Sequence, residues 1–472
     1  MAIEAVAMLP SFLLSLYYRD GDSRILGQCA LLLLIFGASI WFGVRSERNK
    51  HLRLKEGFII VALGWIILSI GGALPFYFSE YYPTFADALF ESVSGFTTTG
   101  ATVLTQFESF PRGLMFWRAT THWIGGMGVL VLTLAILPKL TGRTSHLVKA
   151  ESPGPTLSKL VPHTGTTAKI LYIIYFFLTV LEFIALLLCG LSPYDAALHA
   201  FSTAGTGGFN NYSTSIAAFN NVSVDIVITL FMYLFGVNFA IYFRLLTSQK
   251  KEKLSVLQDE EFKWYTIITV LFMLLLTLLN LSYYSGNFLT SLHYSSFQIS
   301  SVFSTTGFGL ADFTQWPAAS QFLIFISLFM GSCAGSTAGG IKFIRLVLIA
   351  KIIKRAILST GNPKKILVIQ LDKKPVDESM LSQISIFTVV YFLLVILGGF
   401  VLSIDNRFTV IEHLTASLTC VSNVGPAFGS LSSSFSEYTC FGKYVCSFLM
   451  LAGRLELFPI LFLFTRSAWK SH

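Results

Sequence analysis

The chain has 472 residues, 54% of them hydrophobic and only 12% charged, with 44 Phe and a formal charge of +8. Soluble domains carry about 25% charged residues, so an ordinary soluble protein is excluded. Several nearly uncharged stretches of ~18–22 residues are long enough to cross ~30 Å of hydrocarbon as helices, whereas the ~10-residue alternation of a membrane β-barrel is not seen.

In chain order, residues ~3–18 and ~25–43 read as two spans joined by the polar turn Tyr18-Arg19-Asp20-Gly21-Asp22. No basic n-region with an Ala-x-Ala site opens the chain, so no signal peptide is expected. The basic segment Arg45–Glu56 follows. Paired spans are then expected at ~57–78 and ~116–137, ~169–190 and ~223–246, ~263–284 and ~321–330, and ~384–402 and ~440–465. Of the return spans, one reads as interrupted. After the apolar Gln321–Met330 comes Gly331-Ser332-Cys333-Ala334-Gly335-Ser336-Thr337-Ala338-Gly339-Gly340, and helix resumes at Ile341. A Pro/Gly linker (Pro153-Gly154-Pro155, Pro162) and a Lys/Glu-rich turn (Lys250–Glu261) separate units. The expected division is 1–50 as a two-helix extension and 51–140, 141–250, 251–360 and 361–472 as four repeats. The fold class is therefore all-α and polytopic, with four helix–pore-loop–helix repeats in pseudo-fourfold arrangement plus two N-terminal transmembrane helices.

Between the two spans of each unit lies the same short pattern: a hydroxyl residue, three residues, Thr or Asn, one residue, Gly. It reads Ser94…Thr98-Thr99-Gly100, Ser202…Thr206-Gly207-Gly208, Ser301…Thr305-Thr306-Gly307 and Thr419…Asn423-Val424-Gly425. Asp87 and Asp195 precede their glycines by the same distance, which pairs Gly208, not Gly205, with Gly100. A period of this kind marks one structural unit used repeatedly. Most Lys and Arg fall at 45–55, 139–169, 244–263 and 342–374, with Arg466 and Lys470 closing the chain. The positive-inside rule makes those segments cytoplasmic. Both termini are then inside, and the Gly-pattern loops enter from outside. Charge confined to such loops is no nucleic-acid footprint.

A bare cation in hydrocarbon loses hydration worth tens of kcal/mol. Inward-facing backbone carbonyls can replace that shell, and Gly permits the backbone angles required. Short helices would aim their negative C-terminal ends at the ion. Non-helical backbone at membrane depth survives only when buried or lining water. The expected cation-binding selectivity filter is thus Thr98, Thr99, Gly100, Thr206, Gly207, Gly208, Thr305, Thr306, Gly307, Asn423, Val424 and Gly425. One Gly per repeat, in place of a TVGYG-type run, implies weaker potassium-over-sodium selection than in a potassium channel. Helix packing is the bland use of such glycines.

The expected gate is Gly331, Ser332, Gly335, Ser336, Thr337, Gly339 and Gly340, with Arg454 of the last span as hydrogen-bond partner or, alternatively, in a salt bridge with Glu456. Gly335-x4-Gly340 is followed by Ile341, not Lys, and is no phosphate loop. Asp87, Glu91, Asp195 and Glu412 near the outer mouth either concentrate cations or cap helices. His122, His199 and His293 lack metal-ligand spacing and read as packing or hydrogen-bonding groups; Glu182 is expected to face protein interior. The six Cys read mostly as core thiols, a Cys420–Cys440 disulfide being the minor alternative. No nucleophile–base set points to an enzyme.

Together these motifs resemble the TrkH family of bacterial potassium-uptake subunits, in the Trk/Ktr/HKT superfamily, over nearly the whole chain. The likeness rests on Phe96-Thr97-Thr98-Thr99-Gly100-Ala101-Thr102, Trp123-Ile124-Gly125-Gly126-Met127-Gly128, Gly207-Gly208-Phe209, Thr305-Thr306-Gly307-Phe308, the Gly331–Gly340 run, Asn423-Val424-Gly425-Pro426 and Gly453-Arg454-Leu455-Glu456. The resemblance implies a homodimer with one central pore per protomer in the bacterial inner membrane. It also implies a cytoplasmic TrkA-type ring that binds nucleotide and controls the gate, with no covalent cofactor in this chain and potassium as substrate. The basic stretch after the interrupted span suits that partner or anionic lipid. Two rivals are an ion-coupled secondary transporter with paired broken helices and a non-permeating receptor or assembly subunit.

Overall fold

The computed structural model describes residues 1–44, 54–136, 164–247, 256, 258–361 and 367–470. The expected 153–162 linker, the basic segment at 45–53, most of the 250–261 turn and the 364–365 lysine pair lie outside them. The N-terminal unit is α1 (Ala2–Ala7), α2 (Leu9–Tyr18) and α3 (Ser23–Val44). The first predicted span is thus two helices, parted at Met8 with Pro10 in the first turn of the second, where its missing N–H is harmless.

Four units follow. The first is α4 (Leu54–Phe78), α5 (Phe85–Phe96) and α6 (Arg112–Ile136). The second is α7 (Thr164–Leu188), α8 (Pro193–Ala204), α9 (Val222–Gly236) and α10 (Phe239–Thr247). The third is α11 (Glu260–Leu279), α12 (Phe288–Phe303), α13 (Ala318–Ser327) and α14 (Phe343–Gly361). A two-stranded hairpin, β1 (Gln370–Leu371) and β2 (Lys374–Pro375), leads to the fourth: α15 (Glu378–Leu402), α16 (Val410–Ser422), α17 (Cys440–Arg454), α18 (Phe458–Phe462) and the short α19 (Arg466–Trp469). Each first helix packs on the short helix of its own unit. Return helices α6, α9 and α17 also pack on the short helix of the next unit, α8, α12 and α5 respectively. That cyclic exchange makes one bundle.

Among the described residues five helices are long and apolar enough to cross a membrane, six if α9 and α10 count as one bent span. The bundle inverts the soluble pattern. Leu31, Phe36, Phe177 and Phe400 stand on the outside, while Ser92, Thr97, Ser301 and Thr306 are fully buried, each with its hydroxyl hydrogen-bonded inside the bundle. Hydrocarbon accepts the first set, and internal hydrogen bonds must satisfy the second.

Two expectations are corrected. The return span at ~223–246 is not continuous: α9 ends at Gly236 and α10 leaves it at 86°. The last span also breaks, at Leu455–Leu457, where Glu456 and Leu457 both have positive φ (55° and 67°) before α18, which carries Pro459 in its first turn. Among the described residues three return spans are therefore interrupted, not one. The reason is tertiary. The Gly236 carbonyl is taken by the Cys333 N–H (3.1 Å) and the Phe239 N–H by the Gly335 carbonyl (3.1 Å), so a neighbouring loop satisfies what the helix gives up. Cys420 is buried and Cys440 exposed, and all six cysteines are free, so the alternative disulfide is absent.

Candidate functional site

The four short helices, 12 to 16 residues long, each begin with a side-chain cap. Thr84 and Asp87, and Thr409 and Glu412, form reciprocal capping boxes; Ser192 accepts from the Asp195 N–H and Asn287 from the Thr290 N–H. Asp87, Asp195 and Glu412 are thus occupied as capping groups. Asp87 also pairs with Lys443 (2.6 Å), and Glu91 with Arg118 (2.7 Å). On the connecting loops, hydrogen bonds from Ser213 hold the Glu108 carboxyl below its ordinary value.

The repeated sequence pattern is the other end of these helices. The hydroxyl residue supplies a carbonyl: Ser94, Ser202 and Ser301 each accept the N–H five residues on, from Thr99, Gly207 and Thr306, at 2.9 Å, and Thr419 accepts that of Val424 at 3.1 Å. This closure needs a left-handed residue between. Thr98, Thr206, Thr305 and Asn423 fill that place, with φ between 53° and 55°. Asn tolerates it readily, and a β-branched Thr does so only where surroundings enforce it. Two residues on, Gly100, Gly208, Gly307 and Gly425 have φ of 79°, 79°, 76° and 106°. Gly205 ends α8 in right-handed geometry.

The glycines close a ring. A methyl group on Gly100 would stand 1.9 Å from the Gly207 carbonyl oxygen, one on Gly208 2.0 Å from that of Thr306, one on Gly307 2.0 Å from that of Val424, and one on Gly425 2.6 Å from that of Thr99. Each unit thus presents the carbonyl before its own glycine to the glycine of the preceding unit, and the fourth returns to the first. The twelve residues expected from the sequence come together here. Asn423 Nδ2 donates to Thr99 Oγ1 (3.0 Å), tying the fourth strand to the first. On one side of the ring opens a cavity of about 550 Å³ bordered by Gly100, Gly208, Gly307 and Gly425.

The Gly331–Gly340 loop lies on the other side. Its mouth is closed by a bridge between Met330 and Ile341. Inside it, Gly339 N–H donates to Thr305 Oγ1 (2.8 Å) and Ser332 Oγ to the Phe303 carbonyl (2.8 Å). A methyl on Gly339 would stand 2.4 Å from the Ser422 carbonyl oxygen, so only Gly fits this close to the ring. Gly335 and Gly340 carry φ of 74° and 63°, and Ser336 Oγ donates to the Cys333 carbonyl. Arg454 Nη1 donates to the Thr337 carbonyl (2.8 Å) and Nη2 to the Gly125 carbonyl (3.0 Å). Glu456 turns away and pairs with Arg345 (2.6 Å), so the alternative Arg454–Glu456 bridge is not formed. One loop therefore touches the other three units, reaching the first through Arg454.

Several participants were not singled out from sequence. Glu261 accepts the N–H groups of Ala334 (2.6 Å) and Ile344 (3.1 Å), holding both legs of the loop. Lys342 donates to the Ala338 carbonyl. Gly125 was visible only as part of a small-residue run. Glu261 stands in the first turn of α11, beside Glu260, where an acid reads as an ordinary helix-start residue and names no partner. His122 Nδ1 donates to the Gly95 carbonyl (2.8 Å) and the ring stacks on Phe209 (centroids 4.0 Å apart); His199 Nδ1 donates to the Asp195 carbonyl and His293 pairs with Asp225. Glu182 is buried.

A helical membrane bundle whose re-entrant segments meet in a carbonyl ring is a membrane transport protein. The family model described as TrkH, cation transport protein, matches residues 25–471, and the chain belongs to that family. It is 36% identical over 465 residues to the Trk system potassium uptake protein TrkH of Salmonella typhimurium, covering 97% of this chain and 95% of that one. Similarity to the Trk system potassium uptake protein TrkG of Escherichia coli is 31% over 99% of this chain and 96% of the other. The crystal structure of the potassium transporter TrkH from Vibrio parahaemolyticus superposes with a TM-score of 0.90 at 31% identity, over 99% of this chain and 97% of that chain.

Proposed function

We propose that the chain takes up potassium across the bacterial inner membrane through a central pathway, with the four-glycine ring as its selectivity filter. The closed ring carries this reading: each glycine abuts the carbonyl of the residue before the next unit's glycine, so all four strands surround one axis. Thr98, Thr206, Thr305 and Asn423 hold the strands in register, and Thr99, Gly207, Thr306 and Val424 supply carbonyl oxygens. The 550 Å³ cavity is the extracellular vestibule. The Gly331–Gly340 loop is the gate, and Arg454, with two carbonyls and no acid as partners among the described residues, adds a positive charge that opposes cation passage while the loop is in place. The Trk system names of its relatives support a multi-component assembly; within it we place a homodimer of this chain on a cytoplasmic TrkA-type ring, which alone carries nucleotide. The chain needs no covalent cofactor and performs no catalysis. Convergence of four equivalent strands on one axis favours permeation over secondary transport between two halves.

The test is rubidium-tracer uptake into liposomes holding the purified protein, competed by potassium and by sodium. Competition mainly by potassium is expected. Equal competition by sodium, or no uptake even with the gate loop shortened, would overturn the reading.

A further inference from the structure

We infer that Arg118, with Glu91, is a selectivity-positioning residue, clamping the strands that leave the ring in the first two units; this rests on the permeation reading above. Both side chains are fully buried. Arg118 Nε donates to Glu91 Oε1 (2.8 Å) and Nη2 lies 2.7 Å from the same oxygen. The clamp extends into the first strand: Nη2 reaches Thr102 Oγ1 (3.1 Å), and Glu91 accepts from Thr102 Oγ1 (2.8 Å) and the Val103 N–H (3.0 Å). It extends equally into the second: Nη1 donates to the Asn210 carbonyl (3.1 Å), and the guanidinium lies 4.1 Å from the Phe209 ring centre. Thr102 and Asn210 each stand two residues beyond a ring glycine.

The planar guanidinium suits this task because its donors point in fixed directions to two strands at once. Arg118 also borders the vestibule. A bare cation there would repel potassium, and Glu91 cancels it, so the pair adds rigidity without adding charge. The junction is singular. Between the second and third units the exit strands meet through the Ile216 N–H and the Gly309 carbonyl (3.1 Å), and between the fourth and first through the Phe435 N–H and the Thr102 carbonyl (2.8 Å). Among the described residues the other ion pairs between units, Arg244–Asp259, Arg345–Glu456, Arg355–Glu378 and Lys443–Asp87, and the His293–Asp225 hydrogen bond, use no residue of these exit strands. Carbonyl spacing on one side of the ring is therefore held by a charged fork and elsewhere by weaker contacts. Loosening the fork lets the ring contract around the smaller sodium ion.

Truncating either ion would leave its partner buried and uncompensated, so the test uses milder changes. Arg118→Lys keeps the charge and loses the fork; Thr102→Val keeps the shape and loses the shared hydroxyl. Both are reconstituted in liposomes beside the wild type and Arg407→Gln, an exposed arginine lost as a charge control. The ratio of sodium to potassium needed to halve rubidium uptake is read for each. Arg118→Lys is expected to lower it about tenfold and Thr102→Val about threefold, with Arg407→Gln at the wild-type value. A purely structural role would lower thermal stability and total uptake and leave the ratio unchanged, which would overturn the inference. If Arg118→Lys is not recovered folded, the Thr102→Val ratio decides alone. Failure of the wild type itself to discriminate would instead overturn the permeation reading, and the inference with it.

Discussion

The glycine ring and the loop beside it are both glycine-rich, both non-helical and both buried, yet they are built on opposite plans. Every strand of the ring has three equivalents, with φ values at matching positions within a few degrees in three units. The loop has none: only the third unit carries it, and it reaches across to the other three. Coordination of an ion on an axis rewards equivalence, because each strand faces the same task. Obstruction of that axis requires only one element, and a single element can be moved without disturbing the other strands. On the proposed reading, symmetry marks the binding part and its breach marks the movable part.

Changes directed at each region sharpen that contrast. The largest effect is expected from Gly307→Ser. The new Cβ would stand 2.0 Å from the Val424 carbonyl oxygen in a backbone of φ 76°, adding about 1–2 kcal/mol of left-handed strain to a displaced carbonyl. Loss of potassium preference in competed rubidium uptake is the expected result, and an unchanged preference would remove Gly307 from the filter. Next comes excision of Gly335–Ala338, which leaves the Met330–Ile341 closure intact. Flux should rise several-fold with ion preference retained; equal or lower flux would reject the gate role. The smallest effect is expected from Thr305→Val, which sits where the two regions meet. It takes away only the acceptor for the Gly339 N–H. One hydrogen bond contributes ~0.5–1.5 kcal/mol net, so flux should rise by no more than about tenfold. A shift in ion preference without a rise in flux would assign that hydroxyl to the ring instead.

Much of this was legible in the amino-acid sequence. The Ser-x3-Thr-x-Gly pattern encodes a helix end: a carbonyl, a left-handed residue and a glycine at fixed offsets, all local along the chain. Asp87 and Asp195, at helix starts, were equally readable as caps, and Asn423 stands where its tolerance of left-handed geometry is needed. The breaks at Gly236–Phe239 and Arg454–Phe458 were not legible. Both lie in runs apolar enough to pass for unbroken spans, and each is stabilised by atoms from far along the chain. Glu261, Gly125 and the Arg118–Glu91 clamp were missed for the same reason, since nothing near them in sequence names their partners.

By itself, then, the sequence determined the spans that face lipid, the fourfold repetition and the backbone form of each re-entrant loop. These depend on apolar run length, on caps and on residues suited to positive φ, all short-range properties. Tertiary structure alone decided the closure of four loops into one ring, the breaks in the second and fourth return spans and the contacts of Arg454 with Thr337 and Gly125. Those features exist because hydrocarbon satisfies no polar group. Every N–H, carbonyl and charge that a broken helix exposes must find a partner inside the bundle, and only the folded arrangement supplies one.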